Sequence, residues 1–302
     1  MKTIKHILVC LDLTDIDKHL IHYASLAARV FHAEAVTFIH VIQAYDLPNK
    51  SSKSFPDVKS SLNAMIRDEL DNRIDEKFRK SVSTRIETRV AEEDAAEDIL
   101  CFAGDMDTDL LLIGQKYGED RQKRYGGELS ANSKCDILFV PEDPPLEIAR
   151  VFCGLDYSRA SKAAFDRALH LHHQQNAHLV CYFIQDSTRS YFPASTRKSA
   201  SQHLSRAETR HQEFMAEFGL EPESFPCRID ASEDLISEGE KLYNAAEDDN
   251  ADLIIVGAAG DTATETSLLG NITETLRRME KAIPVMIVKD RENKKFFSNL
   301  LS

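Results

Sequence analysis

Short apolar runs alternate along this chain with longer stretches in which apolar residues return every three or four positions. HILVCL, residues 6–11, is a run of the first kind. Behind it, Ile16, Leu20, Ala24, Ala27 and Phe31 fall on one helical face. RVFCGL at 150–155 and the face formed by Ala160, Ala164, Ala168 and Leu171 repeat that order, with Ser158 placed to cap the helix. The runs DLLLI (109–113) and DLIIV (252–256) are apolar on both faces, as strands of a helix-covered parallel sheet must be. The pattern predicts strands at 6–11, 35–42, 83–90, 109–113 and 136–140, then at 150–155, 178–184, 225–230, 252–256 and 284–288. A polar loop leads into the helix between the second and third strands of each half, near 44–60 and 186–198, and is expected to be a mobile cover.

The chain is also written twice. HILVCLDLTD (6–15) returns as RVFCGLDYSR (150–159), which matches Asp12 to Asp156 at an offset of 144. HAEAVTFIHVI (32–42) returns as NAHLVCYFIQD at the same offset, and TDLLLIG (108–114) returns as ADLIIVG at 143. CDILFVPED (135–143) returns as IPVMIVKDR at 148, so five extra residues separate the fourth and fifth strands of the second half. Four matches in one order mean duplication. Pro144 and Pro145 disrupt regular structure at the junction. The expected architecture is α/β: two tandem doubly wound, Rossmann-like domains, 1–145 and 146–302, each with a five-stranded parallel sheet flanked by helices.

Composition adds exclusions. A length of 302 residues suits two domains, and 42% hydrophobic with 29% charged residues is ordinary for a soluble protein. The net charge of −13 opposes non-specific binding to nucleic acid or anionic membranes and reads as a solvated acidic face. No apolar run approaches the ~18 residues of a membrane span, and the one from Ile7 ends at Asp12, too short for a signal segment. A cytoplasmic protein is expected. Six cysteines, at 10, 101, 135, 153, 181 and 227, show no CxxC spacing; Cys10, Cys153 and Cys181 read as buried structural thiols.

Candidate chemistry gathers in IIVGAAGDTATETSLLGNITETL, residues 254–276. Gly257 ends the fourth strand of the second half, so the loop behind it borders the crevice where a parallel sheet takes its ligands. Glycines there permit positive φ and close approach of a ligand to the backbone. Asn271 is a good N-cap, with Glu274 in capping-box position, and a helix N-terminus binds phosphate. Glycines that serve turns alone would give the same spacing, so both readings stay open.

GAAGDTATETSLLGN, between DLIIV and NITETLRRMEKAIPVMIV, resembles the G-x2-G-x9-G nucleotide signature of the universal stress protein family. VFCGLDYSRAS resembles the family's opening, and the resemblance runs through both halves in the manner of a tandem, two-domain bacterial member. It implies an adenine nucleotide, ATP with or without Mg²⁺, in the second half. Gly257, Gly260 and Gly270 would surround phosphates and ribose, Asn271 and Ile272 would lend amides, Asp156 would lie near the adenosine, and Ile184 would flank the adenine. Asn271 departs from the family's Ser or Thr. The resemblance also implies that the edge strands DILFV and PVMIV pair the halves as a pseudo-dimer; further pairing into a homodimer is left open. Protein partners are not identifiable from these residues.

The first half reads as a degenerate site. In GQKYGEDRQKRYGGE, Gly118 falls four residues after Gly114, and Glu128 follows Gly127 where phosphate would sit. Lys116, Arg121, Lys123 and Arg124 read as an exposed basic loop or a different anion site. Catalysis has no clear candidate. G-x4-GK[ST] is missing, no G-x-S-x-G elbow occurs, and nothing names the positioned cations that phosphoryl transfer needs. Slow ATP hydrolysis is the most that the loop suggests. Asp261 is an exposed loop residue or a divalent-ion ligand, and His170, His172, His173 and His178 read as a solvated helix end.

Overall fold

A computed structural model describes residues 3–42, 56–78, 84–92, 95–116, 128–184, 196–230, 236–258, 275 and 283–290. The chain divides into two compact units, with the break between Leu146 and Glu147. The first contains β1 (His6–Leu11), α1 (Asp17–Phe31), β2 (Ala35–Ile42), α2 (Pro56–Lys77), β3 (Arg85–Glu92), α3 (Ala95–Asp105), β4 (Leu110–Gln115), a helical stretch α4 at 128–132 and β5 (Asp136–Pro141). The second contains β6 (Arg150–Leu155), α5 (Arg159–Gln175), β7 (His178–Ile184), α6 (Thr196–Glu217), β8 (Cys227–Asp230), α7 (Glu238–Asp248), β9 (Leu253–Gly257) and β10 (Val285–Val288).

Each unit is a parallel α/β sheet. The first runs β3-β2-β1-β4-β5 and the second β8-β7-β6-β9-β10. Strand order reverses between β1 and β4, and again between β6 and β9, which opens a crevice at the carboxyl end of each sheet. The central strands are buried on both faces: all of Leu110–Gly114 and Leu253–Gly257 are enclosed. Helices α2 and α6 start at Pro56 and Thr196, inside the stretches expected to be loops. Residues 44–55 and 186–195 of those stretches lie outside the described residues.

The duplication extends to backbone details. Left-handed residues recur in pairs: Leu13 and Tyr157, His32 and Asn176, Asp107 and Asn250. His32 and Asn176 terminate α1 and α5, a conformation common at helix ends. Asp109 Oδ2 accepts the N–H groups of Lys5 and His6, and Asp252 Oδ2 accepts those of Ala149 and Arg150. Each carboxylate thus satisfies two amides at the start of the neighbouring strand, and such charge-assisted bonds contribute about 1.5–3 kcal/mol each.

One repeat match is corrected by strand pairing. Ala35 lies opposite His6, whereas His178 lies opposite Arg150, so β2 and β7 correspond at an offset of 143. The extra residue of the first half sits where Lys5 O accepts from both Glu34 and Ala35. Phe183 therefore occupies the place of His40, and Ile184 that of Val41.

Candidate functional site

In the C-terminal crevice the loop from β6 to α5 is fixed by its own hydrogen bonds. Asp156 Oδ1 accepts from Ser158 N at 2.9 Å, Asp156 N donates to Ser161 Oγ, and the Ser158 hydroxyl caps α5 by accepting from Ser161 N. The cap is the one the sequence predicts. Tyr157 takes the left-handed conformation (φ 61°) while its ring lies 4.9 Å from that of Phe183. Packing of the ring offsets a backbone cost of about 1–2 kcal/mol for a non-glycine residue.

Three of the sequence-predicted site residues converge here. Leu155 pairs with Phe183, so Asp156 and Ile184 leave adjacent strands side by side. Gly154 pairs with Val256, which carries Gly257 and Ala258 alongside Leu155 and Asp156. Ala258 N donates to Val288 O at 2.7 Å. Gly260, Gly270, Asn271 with its capping box, Ile272 and Asp261 lie outside the described residues, as do Gly118, Arg121, Lys123, Arg124 and Gly127.

Gly257 has a reason for being glycine that its spacing does not reveal. A Cβ at this position would stand 2.4 Å from Ala160 C, 2.5 Å from Ala160 O and 2.7 Å from Ser161 N. These are backbone atoms of α5 and cannot turn aside. Its φ is not in the left-handed region. Gly257 therefore carries a packing duty whether or not a ligand lies beside it, and conformational freedom is not what the position needs.

The N-terminal half surrounds its acid differently. Lys116 Nζ reaches Asp12 Oδ2 at 2.5 Å, with only 15% of the lysine side chain exposed. Asp12 Oδ1 also accepts from the Thr14 amide and hydroxyl. Burial alone would raise the Asp12 carboxyl, but the bonds from Lys116 and Thr14 bring it below its usual value. Lys116 is thus corrected from an exposed loop cation to half of a partly enclosed ion pair. Beneath it, Asp17 takes the place that Ser161 holds in the other half. Its carboxylate accepts from Asp12 N and Leu13 N and meets Arg73 Nη1 at 3.3 Å. Burial pushes this carboxyl up to about 6, against those amides and the arginine. His40 Nδ1 closes the rim on Leu11 O at 3.0 Å, and the nitrogen facing a carbonyl must be the protonated one.

In the C-terminal half the corresponding acid keeps different company. Among the described residues no cation pairs with Asp156; the nearby Arg159 turns instead to Asp290, at 3.4 Å. The histidines of α5 are partly tied down: His172 Nδ1 donates to Ala177 O at 2.8 Å, and its ring meets Phe225. No group of three or more His, Cys, Asp or Glu among the described residues could hold a metal ion. The sequence missed the Asp17 and Lys116 contacts. The Asp17–Ser161 difference at matched repeat positions was the signal that could have drawn attention to the first.

Two tandem doubly wound units, each with an acid at the end of its first strand beside the switch-point crevice, define a class of duplicated α/β fold. The profile of the Universal stress protein family matches residues 3–141 and again 147–289, and the chain belongs to that family. The fold is similar to that of a universal stress protein from Archaeoglobus fulgidus (17% identity, TM-score 0.66, 95% of this chain and 97% of that one). It is also similar to a functionally unknown protein from Pseudomonas aeruginosa (15% identity, TM-score 0.64, 98% and 96%). No curated protein matches the chain.

Proposed function

We propose that this universal stress protein binds an adenine nucleotide, ATP, in its C-terminal half, and that occupancy changes its conformation or its association with other molecules. One observation carries the reading. A complete G-x2-G-x9-G loop follows β9, whose end runs beside Asp156, and no described cation neutralises that carboxylate. Asp156 then offers an acceptor to ribose hydroxyls or a base amine, Ile184 an apolar flank, and Gly257 and Ala258 a floor without bulky side chains. Gly260 and Gly270, with the amides of Asn271 and Ile272, would hold the phosphates, with or without Mg²⁺. Calorimetric titration of the full chain with ATP is expected to give one site. Gly270→Val is the variant to use, because Gly257→Val would strike the α5 backbone. A folded Gly270→Val protein should bind at least about tenfold more weakly, 1.4 kcal/mol; unchanged affinity rejects the site.

A second reading, an interaction scaffold with no bound nucleotide, draws on the Lys116–Asp12 pair, which occupies the acid of the first crevice with a cation of the chain itself. Purified protein that takes up no nucleotide at millimolar concentration would favour it. Slow hydrolysis of bound ATP is a weaker extension, removed if single-turnover rates with Mg²⁺ equal background. Association of the two halves through their fifth strands belongs to the same proposal. Fast hydrogen exchange at the outer amides of β5 would rule it out. Among the described residues no helix is long and apolar enough to cross a membrane.

A further inference from the structure

Three cysteines of the C-terminal half stand in a row. Cys153 on β6 pairs with Cys181 on β7, and Cys181 pairs with Cys227 on β8. Paired residues of a parallel sheet point to the same face, and Cys153 lies two residues before Leu155, which runs beside Gly257 on the α5 side. Cys153 and Cys181 are fully buried, while Cys227 is partly exposed. The Tyr157 hydroxyl donates to Cys227 Sγ at 3.7 Å, and the rings of Phe183 and Phe214 pack on Tyr157. The fold does not require this row. At the same three positions the N-terminal half carries Val9, Phe38 and Thr88.

Spacing decides what neighbouring thiols can do. Adjacent strands lie about 4.8 Å apart. In-register residues of parallel strands carry nearly parallel Cα–Cβ bonds, so their Cβ atoms keep about that spacing, wider than the roughly 3.8 Å usual in a disulfide. Two metal–sulfur bonds of about 2.3 Å set end to end span about 4.6 Å, close to the strand spacing. We propose that Cys181 and Cys227 form a two-coordinate site for a soft monovalent cation of the copper(I) type, reached from the exposed side of Cys227. Thiolate ligands select such cations. Zinc would want four ligands, and no group of three or more is present among the described residues.

Burial holds both thiols well above their usual range, so both are protonated before binding. As the cation enters, each S–H bond breaks, each sulfur bonds the metal, and two protons pass to solvent. No electrons are transferred. The resulting bis-thiolate complex carries one negative charge, and the Tyr157 hydroxyl is placed to donate to it. Tyr157 is a positioning residue here.

Anaerobic titration of the reduced full chain with copper(I), in competition with a copper(I)-specific chelator, tests this. One copper per chain should resist the chelator, with release of about two protons. Cys227→Ser and Cys181→Ser should abolish retention, Cys101→Ser should leave it intact, and Tyr157→Phe should weaken it about tenfold. Should Cys181→Ser fail to fold, Cys227→Ser at the partly exposed position decides alone. Loss of all copper from the wild type to the chelator, or a natively folded Cys227→Ser protein that holds copper as tightly, overturns the proposal.

Discussion

Asp12 and Asp156 end equivalent strands at equivalent crevices, yet they meet different company. Asp12 is held by Lys116 and Thr14 above a second buried acid, Asp17, that is itself bridged to Arg73. Asp156 makes one local bond to Ser158 N and rests on Ser161, a neutral hydroxyl. An enclosed carboxylate must find donors. The first half supplies them from its own side chains, while among the described residues of the second half Asp156 accepts from the Ser158 amide and meets no cation. A duplicated fold can thus keep both sheets intact while the surroundings of a matched acid diverge.

The largest expected effect separates the two fourth-strand glycines. Gly257→Ala forces a Cβ into the backbone of Ala160 and should cost about 3 kcal/mol or more, roughly 6–12 °C in Tm. At Gly114 the nearest atoms are the side-chain ends of Ile16, at 2.9 Å and 3.2 Å, which can turn aside. Gly114→Ala should cost about 1 kcal/mol. Thermal unfolding of the two variants, compared directly, measures the contrast; equal losses would contradict it.

Next in size is a pH dependence that originates at Asp17 in the first half. The folded Asp17 carboxyl, raised to about 6, lies above its unfolded value. Its contribution to stability is therefore full below the unfolded value and lost as pH rises through about 6. The amount is up to about 3 kcal/mol. Asp17→Asn should flatten that decline in denaturant unfolding between pH 4 and 7, and a decline of unaltered slope would remove Asp17 as its source. Ser161 gives the second half no such dependence at the matched place.

The smallest effect belongs to the ion pair. Lys116→Met should cost only about 1 kcal/mol, since Asp12 keeps some contact with solvent. NMR titration should find the Asp12 carboxyl higher than in the wild type, because the bonds that depress it include those of Lys116. An unmoved carboxyl would mean that Thr14 alone sets it.

Much of this fold is legible because its signals are local or repeated. Double-sided apolar runs such as 109–113 mark covered parallel strands, and the recurrence of 6–15 at 150–159 marks the duplication. The β7 register was not legible, since HAEAVTFIHVI and NAHLVCYFIQD align without a gap. The missing residue shows only where Lys5 O accepts two successive amides. Nor was the Lys116–Asp12 pair, which joins side chains from strands far apart in sequence. Spacing presents Gly257 as one of three loop glycines, while its strict requirement comes from the backbone of α5. Short-range pattern carries strands and caps; contacts made by tertiary approach leave no spacing to read.

The most direct measurement is a crystal structure of the full chain grown with excess ATP. The account predicts nucleotide beside Asp156 and the loop after β9, with the Lys116–Asp12 pair intact and no ligand in the first crevice. Nucleotide beside Asp12, or in neither crevice at saturating concentration, would contradict it.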